Sequence, residues 1–196
     1  GLGAMAALTV AAPVVTLMNA FASMLGDGVG SMVALALGEG DRARAASAVG
    51  NGLVVLLAGA IVLGLALWAA TPFAFGLMGA SGQAYDEALG YIGILLAGLV
   101  PLGFSNGLVT LFRSAGLPAR TLGLQSLSAA VSLVLALGLL LGAGFGVAGA
   151  AIARVAGWAC AMVVTVLMLK SGALPFRLRR TSFVLRFSLV RRMLSL

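Results

Sequence analysis

Two charged side chains within long apolar stretches are the residues best placed to do chemistry. Asp27 lies in the apolar run 13–37 and is flanked by Gly26 and Gly28. A charge at membrane depth is costly, so it usually marks an ion pathway, a proton relay or a substrate site. About eleven residues, or roughly 16 Å of helix, separate Asp27 from the end of its run. Asp27 is therefore the candidate cation-coupling or proton site. The alternative is a carboxylate that only hydrogen-bonds a neighbouring helix.

Arg154 is the second such residue and lies in the apolar run 147–169. Its depth is about eight residues, or ~12 Å, from the start of that run. This depth resembles that of Asp27, so we hypothesise that the two side chains face a shared interior and pair. The alternative is an arginine that extends along its aliphatic stem to the membrane surface.

Four uncharged polar residues in the apolar runs are further candidates for lining a cavity: Asn19, Asn106, Gln125 and Ser132. Their alternative role is structural, because such side chains also join membrane helices by hydrogen bonds. The sequence has no histidine and a single cysteine, and no phosphate-binding Gly-rich loop with a lysine. It therefore predicts neither an enzyme, nor a metal site, nor a resident cofactor, and only Na⁺ or H⁺ as a coupling ion.

The elements that must position these residues are membrane-spanning helices. Of 196 residues, 62% are hydrophobic and 9% are charged, whereas soluble domains carry about 25% charged residues. The mean hydropathy is +1.17. Spans of about 20 apolar residues cross a bilayer as helices, which satisfy their own backbone groups. The sequence predicts an all-α polytopic bundle of about five spans, at 13–37, 48–70, 89–111, 121–141 and 147–169.

The connectors between these spans predict the orientation of the bundle. Arginines occur in the connectors 38–44 and 113–120 and in the tail 170–196, whereas the connectors 71–88 and 142–146 have no lysine or arginine. Basic residues collect on the cytoplasmic side of membrane proteins. We therefore predict a multi-pass protein of the cell membrane, with the basic connectors and the tail in the cytoplasm. The net charge of +7 is then explained by topology, and we expect no nucleic-acid partner.

The chain divides into a bundle at 1–170 and a tail at 171–196. Phe183, Phe187, Val190 and Leu194 recur at helical spacing among arginines, which predicts a basic amphipathic helix at the headgroup layer. The alternative is a linker that becomes helical only in a larger protein. The first span would start outside the cell, and no signal peptide precedes it. This topology predicts that the complete protein has an earlier helix.

Three motifs, in order and in register over about residues 5–170, resemble the MATE (multidrug and toxic compound extrusion) transporters. Gly26-Asp27-Gly28 with the stretch Ala36 to Asp41 resembles their second segment and its loop. The motif at 111–118, which reads Leu-Phe-Arg-Ser-Ala-Gly-Leu-Pro, resembles the loop after their fourth segment. The stretch 146–153 resembles the opening of their sixth. The resemblance implies segments two to six of an amino-terminal lobe, without the first helix and the second lobe.

The resemblance also implies a function: a secondary multidrug antiporter that exports cationic or amphipathic compounds in exchange for Na⁺ or H⁺ by alternating access. Its partners would be the lipid bilayer, a drug-like substrate and the remainder of the same protein. The sequence departs from the family pattern in the fifth segment, where Ser132 and Ala136 replace a common Asn and Asp, and in the sixth, where Arg154 replaces a common Thr. The alternatives are a lipid-linked sugar flippase of related architecture and an inactive membrane fragment.

Overall fold

The computed structural model describes residues 2–79, 82–142 and 145–171, and these form helices joined by short turns. The helices are α1 (Leu2–Gly38), α2 (Arg42–Leu77), α3 (Gly82–Ala97), α4 (Leu99–Ser114), α5 (Pro118–Leu137) and α6 (Gly146–Lys170), and a π-helical turn (Gly138–Gly142) extends α5. Four helices are long and apolar enough to span a membrane, and α3 with α4 makes a fifth span if the bent pair counts as one. The predicted all-α transmembrane bundle is confirmed. The predicted tail helix lies outside the described residues.

The predicted connector at 71–88 is wrong in length. Helix α2 continues to Leu77 and α3 begins at Gly82, so Pro72 lies inside a helix instead of ending one. Proline removes one backbone donor, but helices in lipid tolerate it because neighbouring groups satisfy the freed carbonyl. Beside it, the Thr71 hydroxyl donates to the carbonyl of Leu67 at 2.6 Å. The other connectors are also shorter than predicted, because the helices absorb several of their polar residues.

The third span is bent by 52° between α3 and α4. The break falls at Gly98, three residues before Pro101, whose missing N–H cannot bond back to the preceding turn. A Cβ at Gly98 would lie 2.5 Å from Cγ2 of Val155. The bend therefore also lets α6 approach the backbone of the third span.

Two apolar clusters fix which connectors share an end of the bundle. One cluster joins the last turn of α2 to the starts of α3 and α6, through Phe75, Tyr85 and Val147. The other joins the end of α1, the start of α2, the turn after α4 and the end of α6, through Leu37, Ala45, Leu117 and Met168. The turns 39–41 and 115–117 thus lie at the same end. Arginines of the adjoining helix turns flank both of them, namely Arg42, Arg44, Arg113 and Arg120, and we call this end the basic end. This agrees with the alternation of basic connectors, while their cytoplasmic location stays a prediction.

Candidate functional site

A polar cavity of about 480 Å³ opens between α4, α5 and α6, and we call it the polar cavity. Four of the six site residues predicted from the sequence line it: Asn106, Gln125, Ser132 and Arg154. The remaining lining residues are Ser105, Ser128, Ala129, Leu133, Ala136, Ala150, Ala153 and Trp158. The structure therefore brings together most of the polar side chains that the sequence places at membrane depth.

Helical periodicity explains how α5 and α6 present these side chains. On α5, Gln125, Ser128 and Ser132 are spaced by three and four residues and so share one face. On α6, Ala150, Arg154 and Trp158 are each four residues apart and share another. The faces are held close by Gly157, where a Cβ would overlap the Ser132 hydroxyl and lie 2.6 Å from the carbonyl oxygen of Ser128.

Arg154 is the only charged side chain among the residues that line the polar cavity. Its guanidinium carbon lies 5.7 Å from the centre of the Trp158 ring, which is within the range of a cation–π contact. In the described part of the chain, no carboxylate forms an ion pair with Arg154. A planar guanidinium that lies over an aromatic face keeps the N–H donors at its edge available.

The polar groups around Arg154 are also free to bind a ligand. The side chains of Asn106, Gln125, Ser128 and Ser132 form no hydrogen bond with any described residue. Polar groups away from water require partners, so unpaired ones together indicate a wet or ligand-binding space. The sequence analysis did not predict Trp158 and Ser105 as site residues. The four-residue spacing between Arg154 and Trp158 is the signal that could have identified Trp158.

Asp27 does not line the polar cavity and instead contacts the last two turns of α4. Its Oδ1 is 3.8 Å from Nη2 of Arg113 and accepts a long hydrogen bond of 3.4 Å from the Thr110 hydroxyl. The carboxylate is 64% exposed. The hypothesised pair of Asp27 with Arg154 is therefore not formed, because the partners of Asp27 are Arg113 and Thr110 of α4.

Close packing of α1 on α4 sets the position of Asp27. A Cβ at Gly26 would lie 2.9 Å from the Cα of Gly107, so the two backbones are nearly in contact. We call this contact the glycine seam. It directs the next residue, Asp27, toward the last two turns of α4. Asn19, the sixth predicted site residue, is half-buried on α1, and its amide donates to the carbonyl of Val15 at 2.8 Å.

The fold and the polar cavity inside a membrane bundle define a class, the multi-pass membrane transporters. The family model MatE matches residues 1–138, so the chain belongs to the MATE family. No curated protein matches the chain. The chain spans about 44% of the length of the solved structures that it matches.

Several solved structures superpose on nearly the whole chain. An inward-facing multidrug resistance MATE transporter of the MOP superfamily is 25% identical, with a TM-score of 0.93, and the match covers 100% of this chain and 44% of that one. An outward-facing form is also 25% identical, with a TM-score of 0.94, covering 99% and 43%. A MOP superfamily transporter from Pyrococcus furiosus is also 25% identical, with a TM-score of 0.94 and coverage of 99% and 43%. Its description states that the reverse polarity of its binding pocket suggests a different function.

Proposed function

We propose that the chain forms segments two to six of the amino-terminal lobe of a secondary active antiporter. The antiporter exports cationic or amphipathic compounds in exchange for Na⁺ or H⁺ by alternating access. The observation that carries this proposal is the membership in the MATE family together with a superposition over nearly the whole chain. The polar cavity supplies one wall of the substrate path.

The two matched conformations support alternating access by movement of this lobe as a unit. The chain superposes on an inward-facing structure with a TM-score of 0.93 and on an outward-facing one with 0.94. If the helices rearranged within the lobe, one state would be expected to fit markedly worse. Rocking of one half against the other around a fixed site is a common transporter mechanism. The remainder of the transporter would therefore provide the moving partner.

Asp27 is the coupling site that we propose for Na⁺ or H⁺. Its carboxylate is largely exposed and is contacted by Thr110 and Arg113. A bound cation would compete with the Arg113 guanidinium for Oδ1, so that ion binding and release of the Arg113 side chain are linked. A coupling ion drives transport only through different affinities for the two states of the lobe. The two states would then differ in which cation binds Asp27, the coupling ion or the Arg113 guanidinium.

The test is dye efflux by the complete transporter in proteoliposomes, with Na⁺ and pH gradients imposed separately. We expect efflux with one of the two gradients and a loss of about tenfold or more in Asp27→Asn, because the neutral side chain binds neither ion well. Asp86→Asn is the control, since Asp86 is an exposed carboxylate on α3 far from the glycine seam.

Two results would contradict the proposal. The first is efflux that neither gradient drives. The second is ion-coupled efflux by vesicles that contain only residues 1–196, because one lobe has no partner against which to alternate.

A further inference from the structure

We propose that the polar cavity binds an anionic group, so that the substrates of this protein are amphipathic compounds with a carboxylate or a phosphate. The inference rests on the proposed function for the existence of transport. Of the cationic and amphipathic compounds named there, it keeps the amphipathic ones, gives them an anionic group and excludes the cations. It is carried by one juxtaposition: an arginine without an acidic partner, an aromatic ring beneath it and a row of unpaired polar side chains in one cavity.

Charge is the first step of the argument. The whole chain has five acidic residues, and none of them lines the polar cavity. Arg154 is exposed on the wall of the cavity, so its positive charge acts directly on any group that enters. A cationic ligand would be repelled and would find no carboxylate as a counter-ion. An anionic ligand would neutralise Arg154, which otherwise remains a costly unpaired charge at membrane depth.

Geometry is the second step. The guanidinium carbon of Arg154 lies 5.7 Å from the centre of the Trp158 ring, a contact that leaves the N–H donors at the edge of the guanidinium open to a ligand. The edge of a guanidinium matches two oxygens of a carboxylate or a phosphate in a bidentate pair. Gln125, Ser128 and Ser132 lie on the facing helix, and no residue in the described part of the chain hydrogen-bonds their side chains. They are suited to the remaining oxygens of the same group.

The apolar part of the lining indicates that the anion is carried by an organic body. Ala129, Leu133, Ala136 and Ala153 line the same cavity, and its volume of about 480 Å³ lies in the range of roughly 300–1,000 Å³ that is typical of small-molecule sites. An inorganic anion would leave this surface uncovered. A compound with an aromatic or aliphatic body and one anionic end would contact both parts of the wall.

Trp158 provides a direct measurement of binding. The chain has two tryptophans, and Trp68 is 69% exposed on α2, outside the polar cavity. In a Trp68→Phe background, energy transfer from Trp158 to a dansyl group reports occupancy of the site. The probes are dansylglycine and dansylethylenediamine, which share the fluorophore and carry opposite charge. The chain is studied in zwitterionic lipid nanodiscs.

We expect dansylglycine to bind at least tenfold more tightly than dansylethylenediamine. Arg154→Gln should abolish this preference and Arg154→Lys should keep part of it, because lysine retains the charge but loses the bidentate edge. Arg42→Gln is the matched control, since Arg42 is an exposed arginine at the basic end. Competition by 1-naphthoate or by dihexanoyl phosphatidic acid then tells a soluble carboxylate from a lipid phosphate.

Equal binding of the two probes to the Trp68→Phe chain would overturn the inference, and this comparison needs no change at Arg154. An unchanged preference in Arg154→Gln, or competition by neither anion, would also overturn it. Binding is measured without any gradient. If the chain binds dansylglycine more tightly but the complete transporter moves neither probe, the proposed function is contradicted and the inference about the cavity is not.

Discussion

The surroundings of Asp27 and of Arg154 differ in how the protein treats a charge within an apolar run. At Asp27, the glycine seam brings α1 so close that the carboxylate meets Thr110 and Arg113 of α4. At Arg154, serine, asparagine and glutamine side chains of α4 and α5 line an open space, and the guanidinium has an aromatic neighbour but no carboxylate. The size of the residues on each helix face thus decides whether a charge is neutralised by the protein or left for a ligand.

The largest effect on stability is expected at Gly157, where α6 packs against α5 beside the polar cavity. In Gly157→Ala, the new methyl group would overlap the Ser132 hydroxyl and approach the carbonyl oxygen of Ser128 to 2.6 Å. Backbone cannot move aside as a side chain can, so we expect the free energy of unfolding to fall by about 3 kcal/mol. Unfolding in mixed micelles, followed by circular dichroism, measures it.

Gly123→Ala is the control for this substitution, because nothing lies within 4 Å of a Cβ at that position of α5. Alanine there should be neutral or stabilising by up to about 1 kcal/mol, as expected for a glycine inside a helix. Equal losses in the two variants would mean that helix propensity, and not the contact of α5 with α6, is being measured.

The next largest effect is expected in the reactivity of cysteines introduced on α5, which reports whether water fills the polar cavity. In a Cys160→Ser background, Gln125→Cys faces the cavity, whereas Val134→Cys on the same helix is 68% exposed and does not line it. Hydrocarbon suppresses the reactive thiolate, so we expect Gln125→Cys to react about thirtyfold faster with charged methanethiosulfonates in liposomes.

The charge of the reagent sharpens this measurement. Near Arg154, the anionic reagent should react faster than the cationic one, and Arg154→Gln should remove the difference. Similar rates at both positions would show that the space between α4, α5 and α6 is filled with lipid, and the contrast between the surroundings of Asp27 and of Arg154 would then be lost.

The glycine seam should be less sensitive than the contact at Gly157. A Cβ at Gly26 would lie 2.9 Å from the Cα of Gly107, so α1 needs to retreat only by some tenths of an ångström. We expect Gly26→Ala to lower the free energy of unfolding by about 1–2 kcal/mol. Gly76→Ala, with nothing within 4 Å, is the matched control on α2, and a smaller loss at Gly26 than at Gly76 would contradict the proposed packing.

The smallest effect belongs to the ion pair of Asp27 with Arg113. Both side chains are more than 60% exposed and their closest atoms are 3.8 Å apart. Pairs of this kind contribute less than about 1 kcal/mol, and salt screens them. Arg113→Gln should therefore barely change unfolding, and its effect should vanish at high ionic strength. A larger loss than this, with none in Arg42→Gln, would show that Asp27 and Arg113 are structural.

Much of the fold follows from the sequence because lipid imposes few solutions. Apolar runs of spanning length must be helices, and the five predicted spans fall inside the observed ones. The motif at 111–118 likewise predicts the turn at 115–117, where Gly116 has a φ of +77° and Pro118 starts the next helix. The bounds near Pro72 were wrong, because proline ends helices in water more reliably than in a membrane.

The sequence by itself determined that this chain is a membrane bundle, that its arginines alternate between connectors and that Asp27 and Arg154 are unusual. Those properties depend on residue type and on spacing along the chain. Only the tertiary structure decided that Asp27 does not line the polar cavity, that Arg113 contacts Asp27 and that Trp158 lies beside Arg154 in a common cavity. Such pairings depend on which helix faces meet. Contacts between helices are set by small residues such as Gly26 and Gly157, whose partners lie far away in the sequence.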